Sequence, residues 1–365
     1  MEIDRGSPDL AEAGGAEFAE VVRRLRARGL AAGAEPRVAA EPLEPGDVEP
    51  WPAAGSARHA AFVRLGEEAL RRGAVASAIV AGGAGTRFGA EVKGLVPVLG
   101  GRTFLDLKLE DARSAGAAAG APVPVAIMTS ETTQEPIAAR VEGEPDVLVF
   151  RQRSLPRLTP ELELFFDERG APSLAPAGHG DFFRALREGG VGEELRARGV
   201  RVVFFSNVDN LAATLEPVAI GAHLALGAAI TVEVTARRSP TGALDIGAAP
   251  VRMGARVALV EQVDPAAHPL ISTNNLWFDL DALLARELPL PWRVARKTVA
   301  GRPALQLEQV TGEVTALVGA GGAPLLSSAW LEVPREPAGA SRFEPVKARE
   351  DLPRVAARLR GRLTH

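Results

Sequence analysis

From Val75 onward the chain alternates short apolar runs with amphipathic stretches. VASAIVA, VPVAIM, DVLVF, RVVFFS and AITVEVTA are separated by segments of helical composition such as TFLDLKLEDARSAG and DFFRALREGG. Apolar runs of this length, rich in Val and Ile and followed by helical patterns, predict buried strands in a mostly parallel α/β sheet with helices on both faces. Ahead of them, Phe18, Val21, Val22 and Leu25 fall at helical spacing before Gly29, and Phe62, Leu65 and Ala69 repeat the spacing before Gly73. The Pro-rich stretch between the two predicts irregular chain. After about residue 300 the pattern loosens into short strands and a final amphipathic helix, DLPRVAARLRGRL. The expected organisation is an N-terminal helical segment over 1–73, a main α/β domain over 74–300 and a small C-terminal closing subdomain over 301–365. No internal repeat is visible.

In an open α/β sheet the ligand crevice lies outside the carboxyl ends of the strands. The chain has four asparagines, two in SNVDN (206–210) and two in STNNL (272–276). Both clusters follow apolar runs, RVVFFS and HPLI, so both are expected to face that crevice.

Composition narrows the chemistry. A formal charge of -4, with basic residues scattered, argues against a nucleic-acid partner. No apolar run approaches the roughly 20 residues of a membrane span, and MEIDRGSPDLAEAGG lacks the pattern of a leader, so a cytoplasmic protein is expected. The absence of cysteine leaves only oxygen or imidazole for a metal. Among 42 basic residues only Lys93, Lys108, Lys297 and Lys347 are lysine. A lysine is therefore informative here, since a compact ammonium meets a single phosphate in a way the wide guanidinium fork does not. For Lys108 and Lys297 an incidental role is expected.

The first strand runs into AGGAGTRFGAEVKG. Gly82, Gly83 and Gly85 allow backbone amides to cradle phosphate oxygens. The spacing GxGxxxG is one residue longer than the dinucleotide fingerprint, and no GK[ST] follows. Such a stretch serves equally as a tight strand-to-helix turn, but Thr86, Arg87 and Lys93 add a hydroxyl, a bidentate phosphate binder and a point charge. In SNVDN, Asp209 is the lone carboxylate. It fits the single protein anchor of a Mg2+ ion bound to nucleotide phosphates. Asn207 and Asn210 can each donate and accept, as sugar hydroxyls and phosphates require, although local turns use the same residues. In APAGHGDFF, Asp181 is a natural N-cap, and His179, with no second His nearby, is assigned recognition in preference to acid/base work. SRFEPVK places Lys347 after a proline.

Taken in order, AGGAGTRFG, the KG at 93–94, VFRQRSLPRL, GHGDFF, FFSNVDNLAAT, ISTNNLWFDL, LQLEQVTG and VPR followed by SRFEPVK resemble the UDP-sugar pyrophosphorylase superfamily. The resemblance is closest to its UTP:glucose-1-phosphate uridylyltransferase branch and runs from about Ala78 to Lys347. It implies a GT-A-like, Rossmann-type nucleotidyltransferase fold with a mixed, mostly parallel sheet, and the reaction of UTP with glucose 1-phosphate to give UDP-glucose and pyrophosphate with Mg2+. By position it implies that the Gly82, Gly83 and Gly85 loop, with Thr86, binds UTP and that Gln152 and Gly178 read the uracil. His179 would lie by the substrate phosphate, Asp209 would hold Mg2+, and Asn207 would contact nucleotide and substrate. Asn274 and Asn275 would orient the glucose hydroxyls, while Arg87, Lys93 and Lys347 would act on the phosphates, Lys347 arriving with the closing subdomain. In-line attack by the sugar phosphate on the α-phosphorus needs no covalent enzyme intermediate, so positioning and charge would supply the catalysis. Ala81 stands where the glucose branch usually has asparagine, and the TR after the loop is more like the UDP-N-acetylhexosamine branch. A UDP-N-acetylglucosamine or broad UDP-sugar pyrophosphorylase, and a non-catalytic nucleotide-sugar sensor, are the alternatives. No feature bears on oligomeric state.

Overall fold

A computed structural model describes residues 9–29, 40–83, 85, 88–89, 92–240 and 242–363. Eight strands form the central sheet: β1 (Glu49–Pro50), β2 (Val75–Val80), β3 (Val125–Thr129), β4 (Val147–Arg151), β5 (Val202–Asn207), β6 (Ile230–Ala236), β7 (Leu270–Asp279) and β8 (Ser328–Glu332). Their spatial order is β1-β8-β6-β7-β5-β2-β3-β4. Every pairing is parallel except the two made by β7, which runs against β5 and β6. The five apolar runs expected to be strands are β2 to β6.

Alternate residues of the central strands enter two cores. Val75, Ile79, Val125, Ile127, Val202 and Phe204 pack on one face with Phe104 and Leu105 of the helix Phe104–Ala119. Ala76, Ala78, Ala126, Met128, Val203 and Phe205 pack on the other with Phe182 and Phe278. Burial on both faces explains why these strands read as continuous apolar runs. From β2 the chain builds β3 and β4 to one side and then returns to place β5 on the other. The carboxyl ends of β2 and β5 are thus neighbours at a switch of direction, where doubly wound sheets bind ligands.

Elements from all three expected segments pack together. Residue 300 falls in the turn of a hairpin, Arg293–Val299 paired with Arg302–Glu308. Beyond it, β8 inserts between β1 and β6, burying Trp330 and Leu331, and the helix Leu352–Leu363 buries Val355 and Leu359 in the same core as β2. These elements pack into the same sheet and cores as the strands before residue 300. β1 forms a sheet edge, and the helix Leu10–Arg28, interrupted at Gly15, packs Phe18 and Val22 against Leu155, Leu158 and Leu305.

The helix Ala57–Arg71 lies on the helix Pro217–Leu226 through two reciprocal glycines. A Cβ at Gly66 would sit 1.9 Å from the Pro217 carbonyl oxygen, and one at Gly221 would sit 1.8 Å from that of Phe62. Either clash is with backbone, so the helices would have to separate. Leu65, at helical spacing with the buried Phe62 and Ala69, is 42% exposed at the edge of the buried face. Gly66→Ala or Gly221→Ala is expected to lower stability by about 1–3 kcal/mol or more in urea unfolding. Gly83→Ala, whose Cβ would meet nothing within 4 Å, is the matched control and should leave the midpoint unchanged.

Candidate active site

The loop after β2 and the turn after β5 stand side by side, and the residues they carry meet. The Lys93 ammonium is paired with the Asp209 carboxylate and lies 5.2 Å from the centre of the Phe88 ring. Both charged side chains are under one-fifth exposed. Gly85 has φ +55°, which a glycine adopts without strain. At Gly82, any Cβ would lie 2.2 Å from Gln152 Nε2, so the side-chain amide of Gln152 packs directly on this glycine. Gln152 Oε1 in turn accepts the Gly178 N–H at 3.0 Å. Gly82, Gln152 and Gly178 are thus one assembly. The Gly178 N–H, however, is consumed inside it, leaving the Gln152 Nε2 edge beside Gly82. Thr86 and Arg87 lie outside the described residues.

Gly178 has φ +93°, and a Cβ there would lie 2.5 Å from the Gln309 carbonyl oxygen. That contact seats the GHG turn against Gln309–Thr311. The Thr311 N–H donates to His179 Nδ1 at 3.2 Å, while the Thr311 hydroxyl, 2.7 Å from Nδ1, donates to the His179 carbonyl at 2.8 Å. An accepting Nδ1 leaves the proton on Nε2. Burial pushes the His179 imidazole down to about 4. It is therefore a neutral donor at physiological pH. Asp181 is not the helix cap read from sequence. It is fully buried, makes no capping bond, and accepts from the Arg153 N–H and guanidinium and from Arg184.

The four asparagines bond to one another across the crevice. Asn274 Nδ2 donates to Asn207 Oδ1 at 2.9 Å, and Asn210 Nδ2 donates to Asn275 Oδ1 at 3.2 Å. A bulge in β7 makes this possible. Val232 pairs with Leu276 and Val234 with Ser272, so Thr273, Asn274 and Asn275 stand opposite the single residue Glu233. Bulges re-aim side chains beside active sites. Asn274 sits at φ +57°, a left-handed conformation that asparagine tolerates better than most residues.

The two pairs differ. Asn207 and Asn274 are partly exposed, but Asn275 is fully buried, its Nδ2 donating to Glu233 Oε2 at 2.8 Å and to the Arg342 carbonyl at 3.1 Å. Both amide hydrogens of Asn275, expected to orient glucose hydroxyls, are thus donated within the protein. Lys347 is also placed differently. The backbone around it is docked on the crevice, the Val346 N–H donating to the Asp209 carbonyl at 3.2 Å. Its ammonium points instead to Asp245 Oδ1 at 3.4 Å, half exposed.

The burial of Lys108, expected to be incidental, was not read from the sequence. The side chain is buried beneath the site and donates to Ser206 Oγ at 3.1 Å and to the Ala213 carbonyl at 2.7 Å. Burial pushes its ammonium down to about 8, against the pull of Asp111. Its scarcity as a residue type was the available signal. Lys297, by contrast, is a surface partner of Glu308.

The family described as UTP–glucose-1-phosphate uridylyltransferase matches residues 65–360. The chain is 32% identical over 301 residues to UTP–glucose-1-phosphate uridylyltransferase of Solanum tuberosum, covering 74% of this chain and 58% of that one. It is 30% identical over 295 residues to the Hordeum vulgare enzyme of the same name, covering 74% and 59%. The chain thus spans about three fifths of the length of these curated relatives. Among solved structures, UDP-N-acetylglucosamine pyrophosphorylase of Trypanosoma brucei superposes with TM-score 0.77 at 22% identity, over 96% of this chain and 78% of that one. A UDP-glucose pyrophosphorylase mutant of Leishmania major in complex with UDP-glucose gives 0.70 at 22% identity, over 95% and 79%.

The part-buried His179 and the buried His223 imidazoles are both pushed down by desolvation to about 4 from an ordinary 6.5. The unfolded chain takes up these protons first, so their contribution is fully present above about pH 6.5 and is lost as pH falls from there towards about 4. Imidazole 15N shifts should show both rings neutral at pH 6. Protonation of either ring near pH 6.5 would contradict the packing described.

Proposed function

The chain belongs to the UTP–glucose-1-phosphate uridylyltransferase family, and on that premise we propose that it transfers UMP from UTP to glucose 1-phosphate, releasing pyrophosphate. The observation that carries the reading is the convergence, at the switch point between β2 and β5, of a glycine loop, the Lys93–Asp209 pair and the open Asn207–Asn274 pair. One end of this crevice offers charge for phosphates and the other offers amides for hydroxyls.

Each residue has work suited to its surroundings. The loop of Gly82, Gly83 and Gly85 brings backbone close to the nucleotide, and Gln152 Nε2 presents a donor to the base. His179 Nε2–H donates to the sugar phosphate without adding charge. Asn207 and Asn274, each with amide groups left over from their mutual bond, meet sugar hydroxyls, and Asn274 rather than Asn275 orients the glucose. Lys93 supplies a point charge to the phosphates, and the half-exposed Lys347 side chain is long enough to leave Asp245 for the same purpose. Thr86 and Arg87 complete the phosphate contacts in this proposal.

Asp209 is the residue that would hold Mg2+. Among the described residues no group of three His, Asp or Glu side chains could cage a metal. A single carboxylate fits an ion whose remaining ligands are nucleotide phosphates and water. Bound there, Mg2+ supplies neutralisation of the phosphate charge. No protein nucleophile is required, since the sugar phosphate oxygen itself attacks in line and pyrophosphate leaves.

The test is initial-rate pyrophosphate release with UTP and Mg2+, offering glucose, galactose and N-acetylglucosamine 1-phosphates in parallel. Fast release with glucose 1-phosphate is expected; preference for another sugar would overturn the assignment of substrate. UTP binding without release would indicate a nucleotide-sugar sensor. Asp209→Asn and Lys347→Ala should each lower kcat by roughly 100-fold or more, with thermal midpoints near that of the parent. Undiminished turnover in both would refute the assigned roles.

A further inference from the structure

Beneath the Asn207–Asn274 pair lies an ion pair that the transfer reaction does not use. Glu233 on β6 and Arg342 in the C-terminal segment are both fully buried. Arg342 binds Glu233 through two parallel bonds, Nε to Oε2 at 2.9 Å and Nη2 to Oε1 at 2.6 Å. Trp277 Nε1 donates to Oε1 at 2.8 Å and Asn275 Nδ2 to Oε2 at 2.8 Å. Arg342 Nη1 reaches the Thr214 carbonyl at 3.2 Å and Glu216 at 3.5 Å. Lys108 and Asp111 are the other charged groups whose fields reach this pair.

The pair is tied to the crevice by the amides of Asn275 and Asn210. Asn210 Nδ2 donates to the Arg342 carbonyl at 3.1 Å, and Asn210 Oδ1 accepts the Glu344 N–H at 3.0 Å. Pro345 then bridges to Asn210, and Val346 donates to the Asp209 carbonyl. Lys347 is the next residue. The backbone that launches Lys347 is therefore clamped to the backbone that carries Asp209, and the clamp is anchored on Glu233.

We infer that Glu233 and Arg342 are positioning residues that fix where the Lys347 side chain starts relative to Asp209. Simple stabilisation is a poor account of the arrangement. A buried ion pair often adds little net stability over apolar residues of the same volume, whereas loss of one partner leaves an unpaired charge. Here the pair joins two strands to a chain segment that follows β8, and both of its residues lie within reach of asparagines bonded across the crevice. For its kinetic consequence the inference rests on the proposed uridylyl transfer.

The experiment uses Arg342→Lys, which keeps the charge but loses the fork, alone and with Lys347→Ala, together with hydrogen exchange. The Glu344 and Val346 amides should exchange about ten-fold faster or more in Arg342→Lys while amides of β2 and β5 keep their protection. In kinetics, kcat should fall by about ten-fold or more with KM for UTP within about two-fold. In the Lys347→Ala background the same change should cost no more than about two-fold, because residues acting through one another are not additive. Exchange that rises throughout the sheet, or kinetic losses that multiply, would overturn the inference. Asn210→Ala, which cuts the clamp without touching the buried charges, gives the same two readouts if Arg342→Lys does not fold. If the parent protein transfers no UMP, the functional proposal fails, and exchange confined to 344 and 346 still decides whether the pair positions this segment.

Discussion

A carboxylate removed from water stands only if its oxygens are bonded, and Glu233 is such a group. Each of its oxygens accepts two bonds, one from Arg342 and one from a residue of β7. Leaving one partner out would cost about 3–5 kcal/mol, because the remaining charge would be buried alone. This requirement orders the surroundings. The β7 bulge turns Asn275 towards Glu233, Trp277 stacks on Phe204 with its indole N–H inward, and the segment after β8 threads back so that Arg342 arrives. Crevice geometry and C-terminal packing are thus consequences of satisfying one anion.

Above that layer the electrostatics change character. Lys93 and Asp209 face the crevice in mutual contact, so neither leaves an uncompensated charge in a partly dry cleft. An incoming polyphosphate with its cation offers both groups new partners of opposite sign, so the exchange keeps charge balanced. His179 contributes the complementary property. Burial keeps it neutral, so it can donate a hydrogen bond beside a phosphate without drawing counter-charge into the site.

Much of this was legible in the sequence, for identifiable reasons. Strands buried on both faces read as apolar runs, and the helices between them carry their own stops, which is why β2 to β6 and the helices Phe104–Ala119 and Leu352–Leu363 were expected. What was not legible depends on partners distant along the chain. Glu233 within ITVEVTA looks like the polar face of a strand, and only Arg342, 109 residues later, makes it a core residue. Asp181 looked like a helix cap because one of its two arginine partners, Arg153, is distant along the chain. The place of β8 between β1 and β6 was not legible because SAWLE is too short to announce that it completes a sheet begun by β1.

The asparagines show where residue type stops and environment begins. All four supply the same amide, and spacing alone places both clusters at the crevice. In the lower pair, Asn210 and Asn275, both amide hydrogens of each residue are donated within the protein, so these side chains have become structure. In the upper pair one bond joins Asn207 to Asn274, leaving Asn207 with donors and Asn274 with an acceptor. Sugar hydroxyls both donate and accept, and that residue of unspent capacity is what a hexose needs. A difference of one layer in depth thus separates a binding group from a strut, and depth is set by the bulge opposite Glu233, which no local pattern encodes.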